Sequence, residues 1–499
     1  MNLVVLPIVI PLFTALTALF LGKPSAGRRW LFALSAVLQI AFASTLFWKN
    51  WHGEALVLGV GAWSYRVGIV LVVDLLAAVM ITLSTLVSLA AILYTFVECP
   101  VKAEHPLRLP LMQLLVLGIN LSFSTGDLFN LFVAFEVMLI ASYALLTLEA
   151  DNWSIKQAFP YLAINLVGGT LFLCAAGLAY GLFGTLNFAD ISLRVASMEG
   201  DHRVMAVVLL LMVVFCTKAG LFPLFYWLPN SYTILPFPLA ALFAGLLTKV
   251  GVYVLLRMFC TILPHDLPLA HDLLVWLAGA TMVLAILGAV ARDYIRGILA
   301  FNLLSHIGFM ALAIGFFTPR SIAAAIFYIM HHIVVMASLF LITGVVTSLN
   351  RADFLPRMGH LWKQTPWVGA LFMLQALSLA GVPPLSGFWG KYLIVEAGLG
   401  EHAYWMVAAV IVASILTLYS MIRIWNGAFW SEPDAVKVHT ENRVWVKFAW
   451  VAAGLLAVSL SLGLGAEWFM RISLQAAHQL LDKANYVDLV VQTLGKGGS

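Results

Sequence analysis

The chain has 499 residues, of which 63% are apolar and only 10% charged, whereas an ordinary soluble domain is roughly 45–50% apolar and 25% charged; a water-soluble globule is excluded. Mean hydropathy is +1.00 over the whole length, and the apolar runs do not alternate with polar residues as barrel strands do, so the pattern is that of an all-α, polytopic membrane protein. A net charge of +4 points to no nucleic acid, and four cysteines (Cys99, Cys174, Cys216, Cys260) without CxxC spacing indicate neither a disulfide framework nor a metal or iron–sulfur site.

A hydrocarbon core of ~30 Å takes about 20 helical residues. Fourteen stretches qualify: 2–22, 30–48, 68–97, 108–125, 127–148, 158–183, 204–232, 236–262, 273–290, 296–317, 322–348, 367–396, 403–430 and 445–470. The opening run Leu3–Leu21 has no basic stretch before it and is followed by Lys23, Arg28 and Arg29, so it reads as a retained first helix and not as a cleaved signal. Odd-numbered connections carry Lys23, Arg28, Arg29, Lys102, Arg108, Lys156, Arg292, Arg296, Arg351, Arg357, Lys363, Lys437, Arg443 and Lys447. The even ones hold only Lys49, Arg66, Arg194, Arg203 and Arg320. The positive-inside rule then predicts both termini on the extracytoplasmic side. The tail after Met470, with Arg471, His478, Asp482, Lys483, Asp488 and Lys496, reads as an interfacial helix and suggests no function.

The seventh and twelfth spans are interrupted by Ala219-Gly220-Leu221-Phe222-Pro223-Leu224 and Ala380-Gly381-Val382-Pro383-Pro384-Leu385, which share the pattern A-G-x-x-P-L. The copies are 161 residues and five spans apart. Five is odd, so they cross the membrane in opposite directions, the signature of an inverted-topology repeat. The predicted organisation is three N-terminal helices (1–107), a first repeat of spans four to eight (108–262), a second of spans nine to thirteen (273–430), and a last helix with its tail (445–499). Each proline removes an amide donor and frees backbone polar groups at bilayer depth, which survive only in buried protein or beside a hydrated cavity. A packing kink accounts for one such break; two matching breaks, each near a lysine, favour a transport pathway.

An ionised side chain at a helix centre costs ~2.5–3.5 kcal/mol on insertion scales, so each needs a reason. Glu136 lies about eight residues, or ~12 Å, inside the fifth span, and Lys218 immediately precedes the first break. Lys249 is ~13 residues, or ~20 Å, from Pro236, with Tyr253 and Arg257 following on its face at i+4 and i+8. Lys391 follows the second break. Structural ion pairing or snorkelling explains any one of these, and snorkelling suits Arg257 and Arg423 near span ends, but Glu136 and Lys249 are too deep for it. An ammonium in a low-dielectric site beside another cation has a lowered pKa and exchanges its proton reversibly. Glu136 is expected to be its switchable partner through a buried ion pair with Lys218. His331 and His332 are adjacent and so point ~100° apart on a helix, which predicts that they do not both face one channel; His332, nearer the span centre, is the favoured relay, and His331 is read as packed or hydrogen-bonded. His306 reads as bonded to a neighbouring helix, and Asp74 as a cap or packing anchor. The wide spacing of these groups argues against a metal site.

The run Thr125-Gly126-Asp127-Leu128-Phe129-Asn130-Leu131-Phe132 leading to Glu136 and Tyr143, the Thr217-Lys218-Ala219-Gly220 break and the Gly381-to-Lys391 break resemble the proton-conducting antiporter-like subunits. These are shared by respiratory complex I and the Mrp-type multisubunit sodium/proton antiporters. The first run and Gly68-Ile69-Val70-Leu71-Val72-Val73-Asp74 are most similar to the D-type Mrp subunits. The resemblance spans all fourteen helices and implies that Glu136, Lys218, Lys249 and Lys391 carry protons. Some relatives hold a lysine one turn after the eleventh-helix histidine; here Met336 stands there, so the middle of the relay rests on His332, other polar groups or water. The implied function is proton translocation, through two half-channels and a central hydrated axis, in a bacterial multisubunit monovalent cation (Na+)/proton antiporter. Its partners would be the other subunits, protons, sodium and the bilayer of the cytoplasmic membrane. A proton-pumping subunit of complex I or a membrane-bound hydrogenase is the alternative, and a non-conducting scaffold a third, against which the four deep ionisable groups weigh. No nucleotide, flavin or metal motif is present, so no cofactor is expected.

Overall fold

A computed structural model describes residues 3–61, 63–64, 68–198, 200–432, 438–441 and 443–495; Arg66, Lys437 and Lys496, counted above in loops and tail, lie outside them. In chain order the helices are α1 (Leu6–Leu21), α2 (Ala26–Trp51), α3 (Leu75–Glu98), α4 (Arg108–Ser124), α5 (Leu128–Thr147), α6 (Asn152–Phe183) and the short α7 (Phe188–Ala196). The seventh span is α8 (His202–Ala219) followed by α9 (Trp227–Ile234), and the eighth is α10 (Phe237–Ile262). Next come α11 (Pro268–Val290), α12 (Ile295–Phe316) and α13 (Pro319–Asn350); the twelfth span is α14 (Pro366–Ala380) with α15 (Ser386–Gly400). The chain continues with α16 (Tyr404–Trp430), α17 (Val444–Leu464), α18 (Ala466–Leu481) and α19 (Lys483–Gly495). Among the described residues twelve helices are long and apolar enough to cross a membrane, and the shorter apolar α4 and α14 complete the fourteen expected runs.

Short polar side chains set where several spans begin. Asp74 accepts from the Ala77 amide (2.9 Å), Asp127 from Asn130 (2.8 Å) and Asp151 from Ser154 (2.8 Å), satisfying amides that a helix start leaves open. The apolar windows of α10 and α13 are fully buried and that of α12 nearly so, whereas α1 and α2 bury a third of theirs. The polar groups of α10, α12 and α13 therefore lie along the protein's interior, with α1 and α2 at its periphery.

Both breaks are built alike. α8 ends at Gly220 (φ 81°) and α14 at Gly381 (φ 90°), a left-handed conformation that glycine adopts without a Cβ clash. In the first, the amides of Gly220 and Leu221 both reach the Cys216 carbonyl at 2.9 Å; in the second, those of Gly381 and Val382 both reach Leu377 at 3.0 Å.

Three features depart from the sequence reading. The fourteenth span stops at Leu464, where Gly465 turns the chain, and the tail forms two helices instead of one. A hairpin of β1 (Leu56–Gly59) and β2 (Val70–Val73) stands between α2 and α3. Within α10 two π-helical stretches, Phe243–Leu247 and Met258–Ile262, flank Lys249. One end of the bundle, the hairpin end, is covered by β1–β2, α7, α18 and α19, tied by Gly126 N to Val70 O (2.8 Å) and Phe188 N to Gly126 O (2.9 Å). At the opposite, vestibule end lie two cavities of about 270 and 530 Å³, which share Ser154, Ile234 and Arg296 in their linings.

Candidate proton-carrying axis

Lys218, in the last turn of α8, is 4% exposed. Its Nζ donates to Asn165 Oδ1 at 3.4 Å and lies 5.6 Å from the centre of the Phe135 ring. Among the described residues no direct ion pair joins it to Glu136, which corrects the expected contact. The cause is α6: a Cβ at Gly169 would lie 2.6 Å from Glu136 Oε1, so the carboxylate nests against bare backbone there. Asn165, one turn away on the same face of α6, supplies the ammonium with its acceptor. The Asn165 amide is itself held by its Nδ2 donating to the Tyr161 carbonyl (2.9 Å). Asn165 was missed in the sequence because it is neutral; its signal was a lone amide four residues before a glycine in an apolar run.

Gln157, Tyr161, Asn165 and Gly169 recur every four residues and so share one face of α6. Gln157 lines the larger cavity, and the Tyr161 hydroxyl shares a 2.6 Å hydrogen bond with Ser142 of α5. A polar file thus runs from the vestibule end to Lys218.

Lys249 is fully buried, and its Nζ donates to the Ala244 carbonyl within the first π-helical stretch. Gly251 lets α10 press on the first break: a Cβ there would lie 2.5 Å from the Ala219 nitrogen. Arg257 does not snorkel. It is 3% exposed and fixed to Asp74, with Nη1 2.6 Å from Oδ2 and Nη2 donating to Oδ1 at 2.6 Å. Asp74 is accordingly both a cap and an anchor. Arg423 pairs with the half-exposed Asp293 at the vestibule end (2.7 Å).

The two adjacent histidines diverge, as helix geometry requires, yet both join one cluster. His332 stacks on His306, ring centres 5.2 Å apart, and His306 Nδ1 meets the Tyr328 hydroxyl at 2.7 Å. The Tyr328 ring lies 5.3 Å from that of His331, whose Nδ1 contacts Ser386 Oγ (2.8 Å) at the start of α15; Ser386 meets Ser378 of α14 at 2.9 Å. Neither ring nitrogen of His332 has a hydrogen-bond partner among the described residues. Lys249 and Lys391 both lie within electrostatic reach of His332 and His306. Lys391, 6% exposed, folds back on the second break, where its Nζ donates to the Ala380 carbonyl (2.8 Å) and sits 5.1 Å from the Phe309 ring centre. The two break lysines are not repeat equivalents: an offset of 161 maps Lys218 onto Leu379 and Lys391 onto Asn230, which lines the larger cavity. Beyond the spans, burial lowers the Lys483 ammonium to about 8.

Residues 125–417 match the family described as NADH:quinone oxidoreductase/Mrp antiporter, TM, and so include Glu136, all three axis lysines and both breaks. The chain belongs to this family. It is 37% identical to the D-type Na(+)/H(+) antiporter subunit of Alkalihalophilus pseudofirmus, over 98% of this chain and 99% of that protein. Its fold is similar to a chain of the Mrp complex from Dietzia sp. DQ12-45-1b, with a TM-score of 0.92 and 30% identity over 98% of this chain and 100% of the other. A chain of the archaeal membrane-bound sulfane sulfur reductase is also similar, with a TM-score of 0.89 and 25% identity over 98% and 100%. The chain thus resembles chains from an antiporter complex and from a respiratory complex.

Proposed function

We propose that this chain is the proton-translocating subunit of a multisubunit monovalent cation/proton antiporter, sodium being the cation named for its relative. The carrying observation is the partnership of the three buried lysines. Lys218, Lys249 and Lys391 donate to an amide oxygen and two backbone carbonyls, respectively, and, among the described residues, none to a carboxylate. A lysine held by a neutral acceptor gives up its proton without stranding a buried carboxylate, a state that costs several kcal/mol when an ion pair is broken. Arg257, locked to Asp74, has no such freedom.

On this reading the basic connections, rich in arginine and lysine, put the vestibule end in the cytoplasm and both termini outside, in a bacterial cell membrane. Protons pass between the vestibule and Lys218 along the Gln157–Tyr161–Asn165 face, with Glu136 as the charge that biases Lys218. They continue through Lys249, His332, His306, Tyr328 and His331 to Lys391, which opens to the opposite side through the second half-channel. Residues 108–262 and 273–430 act as the two inverted halves. Other subunits of the complex supply whatever the cation path needs beyond this chain. A redox-driven proton pump is the second reading, favoured by the likeness to a respiratory reductase chain. Sodium-driven proton uptake by vesicles containing the complex tests the choice: Glu136→Ala should abolish uptake with the complex still assembled, and full activity in that variant refutes the assignment.

A further inference from the structure

We propose that Arg257, clamped to Asp74 and roofed by the C-terminal helices, is an electrostatic seal that bars protons and cations from passing between Lys249 and the hairpin end. The inference rests on reading Lys249 as a proton carrier. Lys249, Tyr253 and Arg257 share one face of α10, so the direct way from the lysine to the hairpin end, about 12 Å along the helix, runs past both side chains. Neither side chain is free to relay. The Tyr253 hydroxyl gives its one proton to the Phe123 carbonyl (2.6 Å) and accepts from Arg257 Nε and Nη2 (both 3.1 Å), which uses its donor and both lone pairs. Asp74 accepts from Arg257 Nη2 and from the Ala77 amide, and its Oδ2 is in ion-pair contact with Nη1. Lys249 itself turns the other way, towards Ala244.

A guanidinium keeps its proton at any accessible pH, and with Asp74 already paired to it the couple offers a passing proton no free base and a passing cation no free carboxylate. The tail, which had no evident role in the sequence, covers this charge. The Tyr253 and Tyr486 rings lie on Arg257, 5.4 and 6.0 Å from its guanidinium carbon. α19 is held down by Lys483 donating to the Leu263 carbonyl, and α18 by Gln479 Oε1 accepting from the Leu75 amide (3.2 Å) and by Thr261 Oγ1 on the Leu480 carbonyl (3.4 Å). Arg423 and Asp293 offer a contrast, since that aspartate side chain is 54% exposed and the pair is solvated.

The test is passive proton leak, measured without sodium in proteoliposomes of the intact complex carrying an entrapped pH dye, with the potential clamped. Arg257→Met alone strands a buried carboxylate, so the informative variant is Asp74→Asn with Arg257→Met, which removes both charges. It should leak about tenfold faster than wild type once the locked pair is gone. Adding Lys249→Met should return the leak to the wild-type level. An assembled double variant as tight as wild type overturns the seal, as does a leak that persists without Lys249. Should the double variant not assemble, Tyr486→Ala uncovers the pair without breaking it and must still raise the leak; wild-type tightness there overturns the proposal. A wild-type complex without sodium-driven uptake would refute the antiporter reading and leave the leak comparison intact.

Discussion

Gly169→Ala moves Glu136 without touching any charge. The new Cβ would lie 2.6 Å from Glu136 Oε1, and since ordinary contact begins at 3.4 Å the carboxylate must retreat by about 0.8 Å. The obstacle is the tip of a flexible side chain, so the cost is that of a displaced rotamer, about 0.5–1.5 kcal/mol. Replacing a mid-helix glycine by alanine returns about 0.5–1 kcal/mol. The two nearly cancel, and the complex should assemble with unchanged thermal stability. Transfer steps are far more sensitive, a misplacement of ~1 Å costing up to about 100-fold in rate. Sodium-driven proton uptake should therefore fall roughly tenfold or more at equal protein level. Combining Gly169→Ala with Glu136→Asp, which is one methylene shorter, should recover part of that loss. A Gly169→Ala complex that transports at the wild-type rate refutes the placement of Glu136 on α6 as a working feature.

Gly251→Ala presents a different clash, 2.5 Å from the Ala219 nitrogen and 2.9 Å from the Lys218 carbonyl carbon, both backbone. It should destabilise by about 1–3 kcal/mol, seen as a lowered melting temperature of the purified complex, and an unchanged melting temperature contradicts the close approach of α10 to the first break. Docking of α19 should strengthen with alkali: Lys483 titrates near 8 when docked and near its ordinary 10.5 when released. Below pH 8 both forms are charged and burial of the charge opposes docking; from about pH 8 to 10.5 the docked lysine is neutral first, so docking gains. A spin label at Gln492 should be less mobile at pH 10 than at pH 7, and Lys483→Met should remove the difference; mobility that rises with pH refutes the argument.

Hydropathy and the glycine–proline punctuation of the breaks are local signals, which is why the spans and both interruptions were legible in the sequence. Contacts between distant residues were not. Asp74 and Arg257 are 183 residues apart, and neither flank of either residue announces the other. Two of the lysine acceptors, Ala244 and Ala380, are backbone carbonyls, exposed by a π-helical stretch and by a helix break, so no side chain marks them. Asn165 escaped a search for charges, and a carboxylate–lysine pair was expected where α6 interposes an amide and a glycine. The hairpin of β1 and β2 lies in a connection that hydropathy alone reads as loop and helix start. Helix geometry foretold that the rings of His331 and His332 would point apart, but not that both would join one cluster through Tyr328.

Lys249→Arg tests the central claim most directly, because arginine keeps the positive charge at this fully buried position but cannot release its proton at accessible pH. The measurement is sodium-driven proton uptake by proteoliposomes of the assembled complex, with wild type and Lys249→Arg compared at equal protein content. The account predicts an assembled variant with no uptake above protein-free vesicles. Uptake at the wild-type rate would contradict it, because protons would then be crossing without passing through this side chain.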